Sequence, residues 1–191
     1  MPSSSARRSA QGFTLIELLI VVIILAILAA IVIPQFSNTT ADAKDATIDT
    51  NLSSIRSAIE LYRVQHNNLY PGANPSNNGP ACLGVRGTGV GGSAAAAAIA
   101  FADQLTAASN VGGDTCTVAD ANYKFGPYLR QKIPAEPITL GGSNNVTVTL
   151  NGIPIAPTGV TPGWAYDTKS GQFVMNSNAV DASGAKPYFQ H

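Results

Sequence analysis

The stretch FTLIELLIVVIILAILAAIVIP, residues 13–34, governs how the rest of the chain is read. From Leu18 to Ile33 it carries no polar or charged side chain. In helical form Phe13 to Ile33 would span about 30 Å, the thickness of the hydrocarbon core of a bilayer. The stretch therefore predicts a helix embedded in a membrane. Residues 1–12, MPSSSARRSAQG, carry only the charges of Arg7 and Arg8. Excess positive charge stays on the cytoplasmic side, so the sequence expects residues 1–12 inside the cell and everything beyond the apolar run outside the cytoplasm.

Three readings of the run compete. A cleaved secretory signal has a shorter apolar stretch that ends in a small-residue cleavage site. Here bulky Ile31, Val32 and Ile33 follow the paired Ala29 and Ala30. A plain one-pass anchor leaves Glu17 unexplained, because a carboxylate among apolar residues is costly in lipid unless it is paired or neutralised. Close to one end of the run, the acid can also simply reach the headgroups. A segment that leaves lipid for a protein assembly gives the acid a purpose.

Composition agrees with a membrane segment. Charged residues make up 12 % of the chain, against about 25 % in ordinary soluble domains. Lys and Arg balance Asp and Glu at 11 each, so no basic field exists to hold a phosphate backbone, and direct nucleic-acid binding is not expected. The two cysteines, Cys82 and Cys116, lie in the part expected outside the cytoplasm, where a disulfide is permitted. Two small buried thiols are the other reading.

Beyond Pro34 the pattern turns amphipathic. Ile48, Leu52, Ile55, Ile59 and Tyr62 recur at steps of four and three, one face of a helix. One helix is expected from about Phe13 to near His66, kinked at Pro34, with Asn67, Asn68 and Tyr70-Pro71 as the stop. Residues 72–92 are rich in Gly, Asn, Pro and Ser and read as a loop. Ser93 followed by Ala94 to Ala98 predicts a capped second helix to about Ala108. Val146, Val148 and Leu150 alternate with threonines as in a strand, and residues 163–166 and 172–175 flank the turn Asp167–Gly171 as a hairpin. Pro134, Pro137, Pro154, Pro157 and Pro162 separate these pieces. The expected fold class is α+β, a long N-terminal helix packed against a small antiparallel sheet.

Catalytic material is scarce. The two histidines, His66 and His191, read as ordinary surface residues and offer little for a triad or a metal site. The glycine-rich stretch from Gly84 to Gly92 lacks a phosphate-loop ending and reads as a flexible linker. Asp167, Asp181, Asn176 and Asn178 offer hard oxygen donors, with turn stabilisation as the plainer role. No metal, no cofactor and no enzymatic activity are expected.

Gly12-Phe13-Thr14-Leu15-Ile16-Glu17, then the uncharged run and Pro34, resembles the prepilin signature of type IV pilins and type II secretion pseudopilins. The resemblance implies cutting between Gly12 and Phe13 by a membrane peptidase and methylation of the new Phe13 amine. It implies that Glu17 pairs with the Phe13 amine of a neighbouring subunit, so that two groups costly to bury singly are buried together. Ala26 stands where many pilins carry a helix-loosening glycine. The implied organisation is a cytoplasmic leader (1–12), a transmembrane and filament-core helix (13–34), an amphipathic helix under the head (35–70) and a globular head (71–191). Residues 62–71 (YRVQHNNLYP), Leu129 to Pro137 and residues 163–176 (GWAYDTKSGQFVMN) resemble major pseudopilins. The implied function is a subunit of a type II secretion pseudopilus in the bacterial inner membrane, its head periplasmic. Implied partners are copies of itself, the prepilin peptidase, an assembly platform and ATPase, minor pseudopilins and membrane lipid. The alternatives are a type IV pilus pilin, serving adhesion, motility or DNA uptake, and a membrane-tethered binding module or enzyme.

Overall fold

The computed structural model describes residues 13–191; the leader, with Arg7, Arg8 and Gly12, lies outside the described residues. The chain divides into a first unit ending at Thr40 and a second, Ala41–His191. One helix, α1 (Leu15–Gln65), belongs to both and continues through Pro34. It stops where the sequence expects: Asn67 and Asn68 adopt φ of 53° and 63°, the left-handed region that a short polar side chain tolerates, and the Asn68 N–H closes on the Arg63 carbonyl at 3.0 Å.

Within the second unit, Ile48, Leu52, Ile55, Ile59 and Tyr62 are all buried, so the apolar stripe of α1 is a packing face. Each such side chain stabilises the fold by roughly 1.5–3 kcal/mol relative to exposure. Facing them are α2 (Ala94–Thr106), through Ala97, Phe101 and Leu105, and the sheet, through Val148, Trp164, Tyr166, Phe173 and Met175. Ser93 caps α2 by accepting the Ala96 N–H at 3.2 Å, as its sequence predicts.

Two short strands, β1 (Ala108–Ser109) and β2 (Thr115–Cys116), form an antiparallel pair. The main sheet has the order β3 (Val146–Thr149), β4 (Val160–Asp167), β5 (Phe173–Ser177). The hairpin β4–β5 is antiparallel about the Asp167–Gly171 turn, with Trp164 opposite Met175 and Tyr166 opposite Phe173. The sheet is mixed rather than wholly antiparallel: β3 and β4 are parallel, Val146 opposite Trp164. Residues 150–159 return the chain to the starting end of β3, and that return makes the pairing parallel. Pro162 does not separate strands either. It lies within β4, in the exposed first half where the register shifts between Val160 and Trp164, a position that tolerates a residue without an N–H.

Two polar side chains that β4 carries inside find partners. The Trp164 indole N–H donates to the Pro134 carbonyl at 2.8 Å, and the Tyr166 hydroxyl to the Pro71 carbonyl at 2.9 Å. The second bond ties the sheet to the chain leaving α1.

Candidate functional site

At its start α1 is organised by two residues three apart. The Glu17 carboxylate accepts the Thr14 N–H at 2.8 Å and the Thr14 hydroxyl at 2.7 Å, while the Thr14 oxygen accepts the Glu17 N–H at 3.3 Å. This is a capping box, which satisfies donors that a helix otherwise leaves bare. Its sequence signal is Thr-x-x-Glu directly before an apolar run. The carboxylate thus has a partner in its own chain.

From Phe13 to Ile33 every side chain is exposed, Phe13 at 92 %. Among the described residues, Leu15–Ile33 is the one segment long and apolar enough to cross a membrane, and none of it is buried by the chain's own residues. A bare apolar helix of this length has two stable surroundings, lipid or other helices like it.

In the second unit a disulfide joins Cys82 and Cys116, with Cα atoms 5.9 Å apart. The reading of Gly84–Gly92 as a flexible linker is corrected, because the segment is laced down. The Thr117 N–H donates to the Val85 carbonyl at 2.9 Å and the Gly87 N–H to the Thr115 carbonyl at 3.2 Å. Asp103 accepts the Ser76 hydroxyl at 2.7 Å and the N–H groups of Thr88 and Gly89 at 2.8 and 3.3 Å. A Cβ at Gly89 would sit 2.5 Å from the Ala100 nitrogen, so this glycine allows backbone to lie against α2. Buried Gln104 similarly accepts the Gly72 N–H at 2.7 Å and donates to the Gly113 carbonyl at 2.7 Å. Nothing in the sequence marks Asp103 or Gln104 for these roles, since their partners are distant in the chain.

The histidines also need correcting. His66 is not on the surface but 1 % exposed, stacked on Tyr62 with ring centres 3.7 Å apart. Its Nδ1–H donates to the Tyr62 carbonyl at 2.8 Å, and Nε2 accepts the Ser109 hydroxyl at 3.0 Å. Burial pushes its pKa down, against hydrogen bonds to the Tyr62 and Asn110 backbone, and the neutral ring completes the core. His191 is also mostly covered, with a side chain 9 % exposed beside Asp49 and Asp181.

Asp167 organises the hairpin turn. Its carboxylate accepts the N–H groups of Lys169 and Ser170 at 3.0 and 2.8 Å, those of Asn151 and Gly152 at 3.2 and 3.1 Å, and the Thr149 hydroxyl at 2.8 Å. Burial alone would push this carboxyl up; those donors outweigh it and hold the pKa at about 2. Turn stabilisation is therefore the role of Asp167. Among the described residues no three His, Cys, Asp or Glu side chains are placed to hold a metal.

The prokaryotic N-terminal methylation motif matches residues 7–33. The chain is 35 % identical over 111 residues to the type IV narrow pilus major component PilA5 of Thermus thermophilus, covering 58 % of this chain and 87 % of that protein. It is 42 % identical over 65 residues to the type II secretion system core protein G of Pseudomonas aeruginosa, covering 34 % of this chain and 45 % of that protein. It is 43 % identical over 60 residues to the type IV wide pilus major component PilA4 of Thermus thermophilus, 31 % of this chain and 46 % of that protein. The chain thus spans less than half the length of these last two relatives. No solved structure matches. An outward-facing apolar helix with an acid in its first turn, an α+β head and relatives that are pilus and secretion-system components lead to one conclusion: the chain belongs to the family of type IV pilins and type II secretion pseudopilins.

Proposed function

We propose that this filament subunit is the building block of a type II secretion pseudopilus and carries no catalytic activity of its own. The precursor inserts with residues 1–12 in the cytoplasm and its head in the periplasm. The prepilin peptidase cuts between Gly12 and Phe13, and the Phe13 amine is methylated. Residues 13–34 then form the membrane and filament-core helix, residues 35–70 the stalk under the head, and residues 71–191 the head. Pro34 bends α1 where it leaves the apolar core. An assembly platform and its ATPase extract subunits into a filament, with minor pseudopilins as further partners, and growth pushes cargo outward.

The observation that carries this reading is the helix Leu15–Ile33, whose apolar side chains are all left exposed by the described residues. Lipid covers them before assembly and sibling helices cover them after it, so little apolar burial is lost in transfer. On extraction Glu17 exchanges its Thr14 partners for the Phe13 ammonium of a neighbour. Contacts of this kind, repeated without closing, make a fibre. Similarity to the type II secretion core protein G supports the pseudopilus. A type IV pilus is the second reading, supported by the match across 87 % of a narrow pilus component.

Intact-mass measurement of the protein from membranes tests the processing: loss of residues 1–12 with gain of one methyl is expected, and an uncut chain would leave only a tethered domain. Deleting the gene separates the two systems. Lost protein secretion with surface pili intact supports the pseudopilus, and lost pili with intact secretion overturns it.

A further inference from the structure

The segment that leads into β3 makes one outward turn. Glu136 and Ser143 close it as an antiparallel bridge, the Glu136 N–H donating to the Ser143 carbonyl at 2.9 Å. At its tip Leu140 is 106 % exposed, more than any other large apolar side chain among the described residues. Single leucines on a surface are ordinary; this one differs in what holds it out. The Glu136 side chain, fully buried, accepts the Ile138 and Thr139 N–H groups at 2.7 and 3.0 Å and the Thr139 hydroxyl. The Gly142 N–H donates to the Thr139 carbonyl at 2.9 Å. Gly142 itself has φ of +65°, and a Cβ there would come 2.8 Å from the Glu136 carbonyl oxygen. A carboxyl group is thus buried, at a cost that its donors offset, in fixing a turn that ends in an apolar side chain standing in solvent.

Along β5 lies a groove of about 660 Å³, whose apolar lining is Pro154, Ile155, Ala156, Phe173, Val174 and Phe189. The order β3-β4-β5 puts the Leu140 turn, which feeds β3, and this groove on opposite edges of the sheet. Their charges are also opposed. Arg130 and Lys132 stand exposed in the segment before the turn. Glu60, with a side chain 57 % exposed, lines the groove, and Asp49, 60 % exposed, bonds to the His191 ring in its wall. The groove's own cation, Arg56, is engaged by the Phe173 and His191 carbonyls.

We propose that the Leu140 turn is a knob that seats in the β5-side groove of a second copy of this chain, with Arg130 and Lys132 meeting the acids of α1. The inference rests on the reading of the chain as a filament subunit and adds a contact between heads to the one between apolar helices. Knob and groove are different surfaces on opposite edges, so each copy that receives a knob still offers its own, and the contact repeats without closing. A second apolar groove, lined by Ala98, Ile99, Ala102, Ile133 and Val146, lies on the turn's own edge. A knob seated there would match two copies edge to edge, an isologous contact that ends the row.

Photo-crosslinking within filaments tests the contact. With p-benzoyl-phenylalanine in place of Leu140, irradiated filaments are expected to give covalent dimers and longer ladders, with the bond mapped by mass spectrometry to Ile155, Phe173 or Phe189 of a second copy. A bond to Ile99 or Ala102 of a second copy, or no bond between copies, overturns the proposal. If that variant yields no filaments, the same probe in place of Phe189 reads the contact from the groove side and decides by its bond to Thr139, Leu140 or Gly141. Leu140→Ser should lower the filament yield at least about tenfold, the lower bound for losing one buried leucine per contact. Its urea midpoint should stay at the wild-type value, because the side chain packs on nothing in its own head. Wild-type amounts of filament from Leu140→Ser overturn the contact. The cross-link is read on filaments whatever they serve, so filaments that lack it sink this contact alone and leave the filament assignment standing.

Discussion

Two glycines with the same backbone conformation allow a controlled test of how the head is packed. Gly171 and Gly184 both have φ of +72°, in the left-handed region where a Cβ costs about 1–2 kcal/mol. They differ in surroundings. A Cβ at Gly184 meets nothing within 4 Å, whereas at Gly171 it overlaps Cε1 of Tyr70 and comes 2.8 Å from its Cδ1. The Tyr70 ring is not free to swing aside without loss, because Arg63 donates to its hydroxyl at 3.0 Å and stacks its guanidinium 4.8 Å above the ring centre. Forcing such a ring to move costs about 1–3 kcal/mol. Gly171→Ala should therefore destabilise the head by about 2–5 kcal/mol and Gly184→Ala by about 1–2 kcal/mol. The first is a large share of the roughly 5–15 kcal/mol that holds a domain folded. Urea titration reports it through the single tryptophan, Trp164, which is fully buried and packs in the sheet against Phe173. The midpoint should fall further for Gly171→Ala with the slope unchanged. Removing the ring with Tyr70→Ala should bring the two glycine substitutions to equal cost. Equal midpoints for the two variants in the otherwise native chain would refute the packing argument.

Three further outcomes follow from other sites. Replacing Cys82 and Cys116 by serine together should lower stability by about 3–4 kcal/mol, the value for a loop of this length, read by the same titration; an unchanged midpoint would mean that backbone lacing alone holds the 82–92 segment. Asp167→Asn should cost about 2 kcal/mol or more, because an amide cannot serve five donors that now share one carboxylate. In the wild type the Asp167 pKa falls from 3.8 in the unfolded chain to about 2 in the fold, so its contribution is present above pH 3.8 and lost as the pH drops toward 2; acid titrations of the two proteins should converge there. Glu17→Ala should still insert in the membrane but yield no filaments by electron microscopy, and normal filaments from it would contradict pairing with the Phe13 amine.

The elements set by near neighbours were readable in the sequence. Apolar length marked Leu15–Ile33, the four-three spacing marked Ile48 to Tyr62, Ser93 before a run of alanines marked α2, and Asp167–Gly171 between two apolar runs marked the hairpin. Helix periodicity, capping and turn chemistry act over a few residues, and each leaves its trace there. Tertiary structure alone decided the rest. It made β3 and β4 parallel, placed His66 in a stack with Tyr62, pressed Gly89 against α2, gave Asp103 and Gln104 their loops to hold, and brought His191 between Asp49 and Asp181. In most of these the partners are tens of residues apart, so nothing local distinguishes a buried histidine from an exposed one or a packed glycine from a loose one. Their roles arise only when the chain closes on itself, because burial, pairing direction and a carboxylate's donors are properties of the surroundings and not of the residue.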